Sequence, residues 1–358
     1  MTFEVGHADI GTVALLTNPA AGKGKASDAA VAAARHLNER GVNVVNLQGS
    51  SPEEASRLAG EAVADPRVDA LVVCGGDGLI NLALQSQAQS GLPLGIIPAG
   101  TGNDHAREYN IPLDPVKAAD VVADGFWSTT DLGHMRAVAG VEEALAEGDA
   151  GEAGVASPTK EGRWFGTIAC AGFDSLVSDR TNRITWPKGR NRYNLAIALE
   201  FLNFHSLPAR IVLDPGTDEE RELGENVTLC AMGNTRSYGG GMYICPDADH
   251  HDGLLDVTVL GRMNRAEVVW KFGKIFSGEI RGENGVEMYR ARAVYVELRD
   301  RGGVGAGPGG AGVGAGAGRG VSAGGAPING YADGELFAPT PMLVRVVPGA
   351  GKYIVPRP

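Results

Sequence analysis

Residues 69–81, DALVVCGGDGLIN, pass from an apolar run (Asp69 to Cys74) into a polar glycine loop and then into a helical pattern. A run this apolar from end to end belongs to a strand covered on both faces, as in a parallel sheet clothed in helices. Toward the N-terminus lie the run Val13-Ala14-Leu15-Leu16, an Ala-rich helical segment from Ser27 to Arg40 stopped by Gly41, and a second strand, Val42 to Leu47. Ser51-Pro52-Glu53-Glu54 then places Ser at an N-cap, Pro at the first helical position and Glu three residues on, a capping box that predicts a helix to about Asp65. Toward the C-terminus, Gly91 ends another helix before the strand Leu92 to Pro98. This β-α-β-α rhythm predicts a parallel sheet with ligand loops at the carboxyl ends of its strands.

Past about Phe126 the rhythm changes. Strand-like segments at Trp164–Cys170, Arg210–Leu213, Val227–Met232, Leu254–Leu260, Arg292–Leu298 and Met342–Val347 predict a mainly antiparallel β region. The acidic stretch 141–162 and the Gly-rich stretch 301–325 bury too little apolar surface to offset their ordering entropy, so both are expected to be mobile loops.

The 358 residues exceed one ordinary core and suggest two domains. Their 32 Lys plus Arg against 43 Asp plus Glu leave a net charge of −11, which disfavours nucleic acid as a partner. The start, with Glu4 and Asp9, lacks signal-peptide character, and no apolar run approaches the ~20 residues of a transmembrane segment. Cys74, Cys170, Cys230 and Cys245 sit in apolar runs and read as reduced core thiols, so a cytoplasmic protein is expected.

Three glycine loops follow predicted strands: Asn18 to Gly24, with Gly22 and Gly24; Gly75-Gly76-Asp77-Gly78-Leu79-Ile80-Asn81; and Gly100-Thr101-Gly102-Asn103-Asp104. Glycines let backbone N–H groups approach phosphate, and a carboxylate beside them addresses Mg²⁺ or a hydroxyl. Each loop alone also reads as an ordinary turn, with Asp77 a helix cap; three at successive strand ends point to a nucleotide or polyphosphate site. Asp104 and Arg107 read equally as a helical (i, i+3) pair. Asp249 to Leu254 alone reads as a polar hairpin turn, with His250 and His251 on opposite faces of an extended chain and solvated. Asp333-Gly334-Glu335 alone reads as a surface turn.

Together, Asn18-Pro19 with Gly22 and Gly24, the Gly75–Gly78 loop, the Gly100–Asp104 loop with Arg107, Gly172-Phe173-Asp174, Gly239-Gly240-Gly241, Pro246 to Asp256 and Asp333-Gly334-Glu335 resemble the diacylglycerol kinase catalytic-domain family, which includes sphingosine kinases. The resemblance implies an N-terminal α/β domain with a parallel sheet of the NAD-kinase and phosphofructokinase type, over residues 11–128 and joined by the tail 349–358. It implies a C-terminal, mainly antiparallel β-sandwich domain for the lipid substrate over residues 129–348. It further implies an ATP-dependent kinase that phosphorylates diacylglycerol at a membrane surface, with peripheral membrane contact; a homodimer stands open. Asn18, Gly22, Gly24, Ser50, Gly75 to Asn81, Thr101, Asn103 and Arg107 would hold ATP. Glu335 would be the base, supported by Asp333 and Asp104, while Asp249, Asp252 and Leu254 would hold Mg²⁺. Another lipid kinase, such as one for sphingoid bases, and a non-catalytic nucleotide- or lipid-binding regulator are the alternatives. Leu79, Leu82 and His105 depart from the family pattern, where Thr, an acidic residue and Phe are common. Arg180, Arg183, Lys188, Arg190 and Arg192 around Ile184 and Trp186 form a basic-aromatic patch, read as an anionic-lipid contact or a solvated loop.

Overall fold

The computed structural model describes residues 3–18, 25–148, 162–172, 206–223, 226–299 and 328–357. Its first part runs β1 (Val5–His7), β2 (Thr12–Thr17), α1 (Lys25–Glu39), β3 (Asn43–Gln48), α2 (Pro52–Ala64), β4 (Ala70–Gly75), α3 (Asp77–Gln87), β5 (Leu94–Pro98), α4 (Asp104–Glu108) and α5 (Pro115–Asp124). Strands β3, β2, β4 and β5 are neighbours in that order and pair in parallel, with Val13 opposite Ala70 and Leu71 opposite Leu94. Leu15, Leu16, Leu71 and Ile96 are all but fully buried between sheet and helices, each such side chain contributing roughly 1.5–3 kcal/mol. Edge strand β3 alternates exposed and half-buried residues instead.

Helix α2 starts as expected, Ser51 Oγ accepting from Glu54 N at 3.2 Å. The capping box is only half formed, because the Glu54 carboxylate accepts from Ser50 N at 2.8 Å and from the Ser50 hydroxyl.

The second part runs β6 (Phe126–Ala137), α6 (Val141–Gly148), β7 (Arg163–Phe165), β8 (Ile168–Gly172), β9 (Leu207–Leu213), β10 (Arg221–Leu223), β11 (Asn226–Val227), β12 (Leu229–Gly233), β13 (Leu255–Leu260), α7 (Arg265–Ser277), β14 (Val286–Ala291), β15 (Ala293–Leu298), β16 (Asn329–Ala332), β17 (Glu335–Pro339) and β18 (Met342–Ile354). Six strands form an antiparallel sheet in the order β14-β13-β12-β8-β16-β17. Its Ala169, Cys230, Met232 and Val257 share one apolar cluster with Ile211, Val294, Val296 and Val344 of the other sheet, which makes this half a β-sandwich.

The other sheet is continuous across the molecule, in the order β10-β9-β15-β18-β5-β4-β2-β3. Strand β18 joins the halves: Ala293 pairs with Arg345, Met342–Val347 and Gly351–Ile354 run antiparallel to β6, and Tyr353 lies parallel to Leu94 of β5.

Two expectations are corrected here. Residues Val141–Gly148 are a helix, because Val141, Ala144 and Leu145 make an apolar stripe that packs on Val138, Tyr295 and Leu343. Residues 149–161 of the acidic stretch, the Gly-rich stretch 301–325 and the basic-aromatic patch at 180–192 lie outside the described residues. The Trp164–Cys170 segment is two strands, broken at Gly166 and Thr167. All four cysteines are buried and outside any disulfide, and burial pushes Cys74 up to about 12. On β6, His134 lies edge-on to Trp164 with ring centroids 4.9 Å apart. Burial, then Arg136 and Arg345, push this imidazole down to about 4.

Candidate active site

The loops after β4 and β5 meet at backbone contact. A Cβ added to Gly100 would lie 2.4 Å from Gly76 Cα, so only glycine permits the approach. Asp77 opens α3 behind N-cap Gly76, where the helix dipole favours an anion. Its Oδ1 accepts from the backbone N of His105 at 3.3 Å and faces His105 Nδ1 at 3.3 Å. Asp104 Oδ1 accepts from Arg107 Nη1 at 2.6 Å, and Gly240 N donates to both Asp104 oxygens at 3.1 and 3.0 Å. Arg107 Nη2 also donates to Gly102 O at 3.0 Å.

Asp77 Oδ2 and Asp104 Oδ2 converge over Gly102, whose added Cβ would sit 2.9 and 3.1 Å from them. Burial and then Asp77 push Asp104 above the usual carboxylate range. Burial acts upward on Asp77 too, but the His105 ring and amide hold it below that range. His105 is fully buried, which lowers its pKa, yet Asp77, Asp333 and Asp104 outweigh burial and raise it. Paired carboxylates with one guanidinium and a glycine floor fit the Mg²⁺ and phosphates of a nucleotide, since hard oxygen donors and positive charge face one point.

The Asp333-Gly334-Glu335 triplet divides into two roles. Asp333, at φ 51, is 7% exposed. Its carboxylate accepts from Gly166 N at 3.0 Å, Thr167 N at 2.8 Å, Thr167 Oγ1 at 2.6 Å and Asn81 Nδ2 at 2.8 Å. Four donors fill its acceptor sites, so it fixes the β16–β17 turn. Glu335 is exposed and reaches over the first turn of α3: a Cβ on Gly78 would lie 2.6 Å from its Oε1. An exposed carboxylate beside the Gly75–Gly78 loop has the access a general base requires.

The remaining expected nucleotide residues separate by position. Thr101 is exposed beside the Asp104 loop, and Asn103, at φ 52, braces it by accepting from Gly100 N at 2.9 Å. Asn18 is half-buried at the end of β2, while Gly22 and Gly24 lie outside the described residues. Ser50 follows edge strand β3 and gives its hydroxyl to Glu54. Leu79 and Ile80 are buried in the first core, and their amides bond Gly76 O at 3.0 and 3.2 Å within the helix. Leu79 packs under Gly75, and Leu82 is half-buried on the same core. Asn81 is fully buried, holding Asp333 and Trp164 O and accepting from Arg163 Nε at 2.9 Å.

Sequence reading noted His105 only as a departure and missed its grip on Asp77, which depends on residues 28 apart. It also missed Gly240 as an Asp104 donor; the triple glycine, with φ of 61, 86 and 105, was the available signal.

In the Asp249–Leu254 segment, where the resemblance implies a Mg²⁺ site built from the Asp252 carboxylate and the backbone carbonyls of Asp249 and Leu254, the Asp249 carbonyl accepts from Asp252 N at 3.4 Å. Asp252 Oδ1 accepts from Leu254 N at 2.9 Å and its other oxygen pairs with Arg290. Asp249 Oδ1 accepts from His251 N at 3.1 Å. The expectation of solvated, oppositely directed histidines is corrected: the chain turns here, both rings are half-buried, and their centroids are 4.1 Å apart.

The diacylglycerol kinase catalytic domain model matches residues 12–135, and the YegS C-terminal NAD kinase beta sandwich-like domain model matches residues 167–355. A diacylglycerol kinase of Mycobacterium tuberculosis is 42% identical over 350 residues, covering 98% of this chain and 96% of its own. A Pseudomonas aeruginosa relative, named probable lipid kinase YegS-like, is 32% identical over 276 residues, 75% of this chain and 78% of its own. A solved diacylglycerol kinase structure from Bacillus anthracis shares the fold with a TM-score of 0.63 at 17% identity, covering 97% of this chain and 98% of that one.

Proposed function

This chain belongs to the diacylglycerol kinase family and is a lipid kinase, and we propose that it transfers the γ-phosphoryl group of ATP to the free hydroxyl of diacylglycerol, giving phosphatidic acid. The observation that carries this reading is the exposed Glu335 carboxylate poised over Gly78, two residues from an Asp333 held by four donors. Glu335 accepts the hydroxyl proton as the lipid oxygen bonds to phosphorus and the bond to the ADP oxygen breaks. Mg²⁺, when bound with the nucleotide, supplies neutralisation of the developing charge. Asp77 and Asp104 face that position, Arg107 sets the Asp104 carboxylate, and the Gly240 amide ties the second domain to it. No helix among the described residues is long and apolar enough to cross a membrane; the proposed acceptor is met by peripheral contact with a lipid surface.

The test is transfer of label from ATP in mixed micelles presenting diacylglycerol, monoacylglycerol, ceramide or a sphingoid base, with Glu335→Gln beside the wild type. Labelled phosphatidic acid from the wild type alone is expected. Labelling confined to ceramide or sphingoid base would replace the acceptor, and equal turnover by Glu335→Gln would remove Glu335 as the base.

A further inference from the structure

We propose that the outer side of helix α7 (Arg265–Ser277) is a docking surface for an anionic lipid bilayer, a partner that rests on the reading of the chain as a kinase meeting its acceptor at a lipid surface. The helix is closed at both ends: Asn264 and Glu267 complete a capping box at its start, and Gly278, at φ 73, ends it. Lys271 and Ile275 are buried on its inner side. Ile275 shares one apolar cluster with Met242, Ile244 and Ile280, and the Lys271 ammonium donates to Asn284 O.

The outer side carries apolar surface that no described residue covers. Trp270 is 65% exposed and Phe276 53%. At about 3.6 residues per turn these two and Gly273 fall within an arc of roughly 120°, opposite Lys271 and Ile275. Gly273 is exposed, and a Cβ added there meets no atom within 4 Å. Packing therefore does not require glycine at a position where it weakens a helix, and the backbone between the two rings lies open to close approach. Exposed Trp and Phe on one side of a helix, with basic residues beside them, match the pattern of helices that lie in a membrane interface.

Charge selects the occupant. Residues 262–283 carry five Lys or Arg against three Glu, a local charge of +2 in a chain of net charge −11. Arg262 is exposed just before the helix, and Lys274, which pairs with Glu283, has its ammonium 5.4 Å from the centre of the Trp270 ring. An anionic headgroup takes Lys274 over from Glu283 as the Trp270 ring enters the headgroup layer. The docked helix is tied to the site through backbone: Tyr243 N donates to Ile275 O at 3.0 Å, three residues beyond Gly240, whose amide holds Asp104.

The experiment is flotation of the full chain with vesicles of phosphatidylcholine, with and without phosphatidylglycerol, beside turnover of a dispersed short-chain diacylglycerol that needs no bilayer. The wild type should float with the phosphatidylglycerol vesicles and be released by high salt. The Trp270→Ser, Phe276→Ser double variant should bind roughly tenfold or more weakly, since burying one such side chain is worth about that factor, with unchanged short-chain turnover. Brominated phosphatidylglycerol should quench wild-type tryptophan emission, and Trp270→Phe should keep binding but lose that quenching. No binding by the wild type, equal binding to phosphatidylcholine alone, undiminished binding by the folded double variant, or undiminished quenching in Trp270→Phe would each overturn the surface. Self-association lost in the double variant, in place of vesicle binding, would give the face to a second copy of this chain. Vesicle binding as expected with no short-chain turnover would sink the kinase reading and leave the docking surface standing.

Discussion

Two buried histidines mark two differently built regions. His105 sits in the corner between the β4 and β5 loops, ringed by Asp77, Asp104 and Asp333, and its pKa is raised. His134 sits on the β6 face beside Arg136 and Arg345, and its pKa falls to about 4. Burial pushes both rings downward, so the sign of the neighbouring charge decides the outcome. The corner holds opposite charges against one another where phosphate chemistry is proposed; the strand face keeps a neutral ring packed on Trp164. Corner residues should therefore govern turnover, and strand-face residues stability alone.

The strongest break of that contrast would come from Glu335→Gln. Its kcat should fall about 10²–10⁴-fold, the span of general-base contributions, with an unchanged melting temperature because the side chain is exposed. Labelled-lipid assays and thermal melts together read this.

Asp333→Ala tests the corner's framework. It strands the Gly166 and Thr167 amides and the Asn81 side chain, which should cost about 3 kcal/mol in chemical denaturation. A variant as stable as the wild type would mean that the turn is held by something else.

His105→Phe keeps the volume and removes the donor to Asp77, so kcat/KM should drop roughly tenfold, about 1.4 kcal/mol, with partial recovery in His105→Asn. Loss of stability without loss of activity would place His105 with His134. The two also differ in linkage. His105, raised when folded, contributes stability that is fully present below about pH 6.5 and is lost as pH rises through its folded value.

His134 is depressed when folded, so the unfolded chain binds the extra proton between pH 6.5 and about 4. Stability should fall on acidification through that window, by at most about 1.4 kcal/mol per pH unit. Melts of His134→Gln from pH 7 to 4 should show a shallower slope and unchanged turnover at pH 7.

The parallel half was legible because Leu71 to Cys74 and Val13 to Leu16 are apolar at every residue and the glycine loops punctuate them. Helix α6 was hidden because Glu142, Glu143 and Glu147 dominate its composition while Val141, Ala144 and Leu145 face inward. The division between Asp333 and Glu335 was illegible for another reason: the donors that occupy Asp333 come from Asn81, Gly166 and Thr167, and no local pattern brings them together. The His250 and His251 rings converge through a turn that two adjacent letters do not encode.

Strand β18 gives the order of synthesis a physical meaning. Its Tyr353 pairs with Leu94 and its Lys352 with Thr129, so the sheet beneath the glycine loops is completed by residues made some 250 positions after the loops themselves. A nascent chain emerging from the ribosome can form β2 to β5 early, but β5 waits for its last partner until nearly the whole sandwich has appeared. Contacts this distant in sequence are slow to close. Completion of this sheet is thereby coupled to synthesis of residues 351–354, and a ribosome stalled before residue 350 would display β5 with an open strand edge.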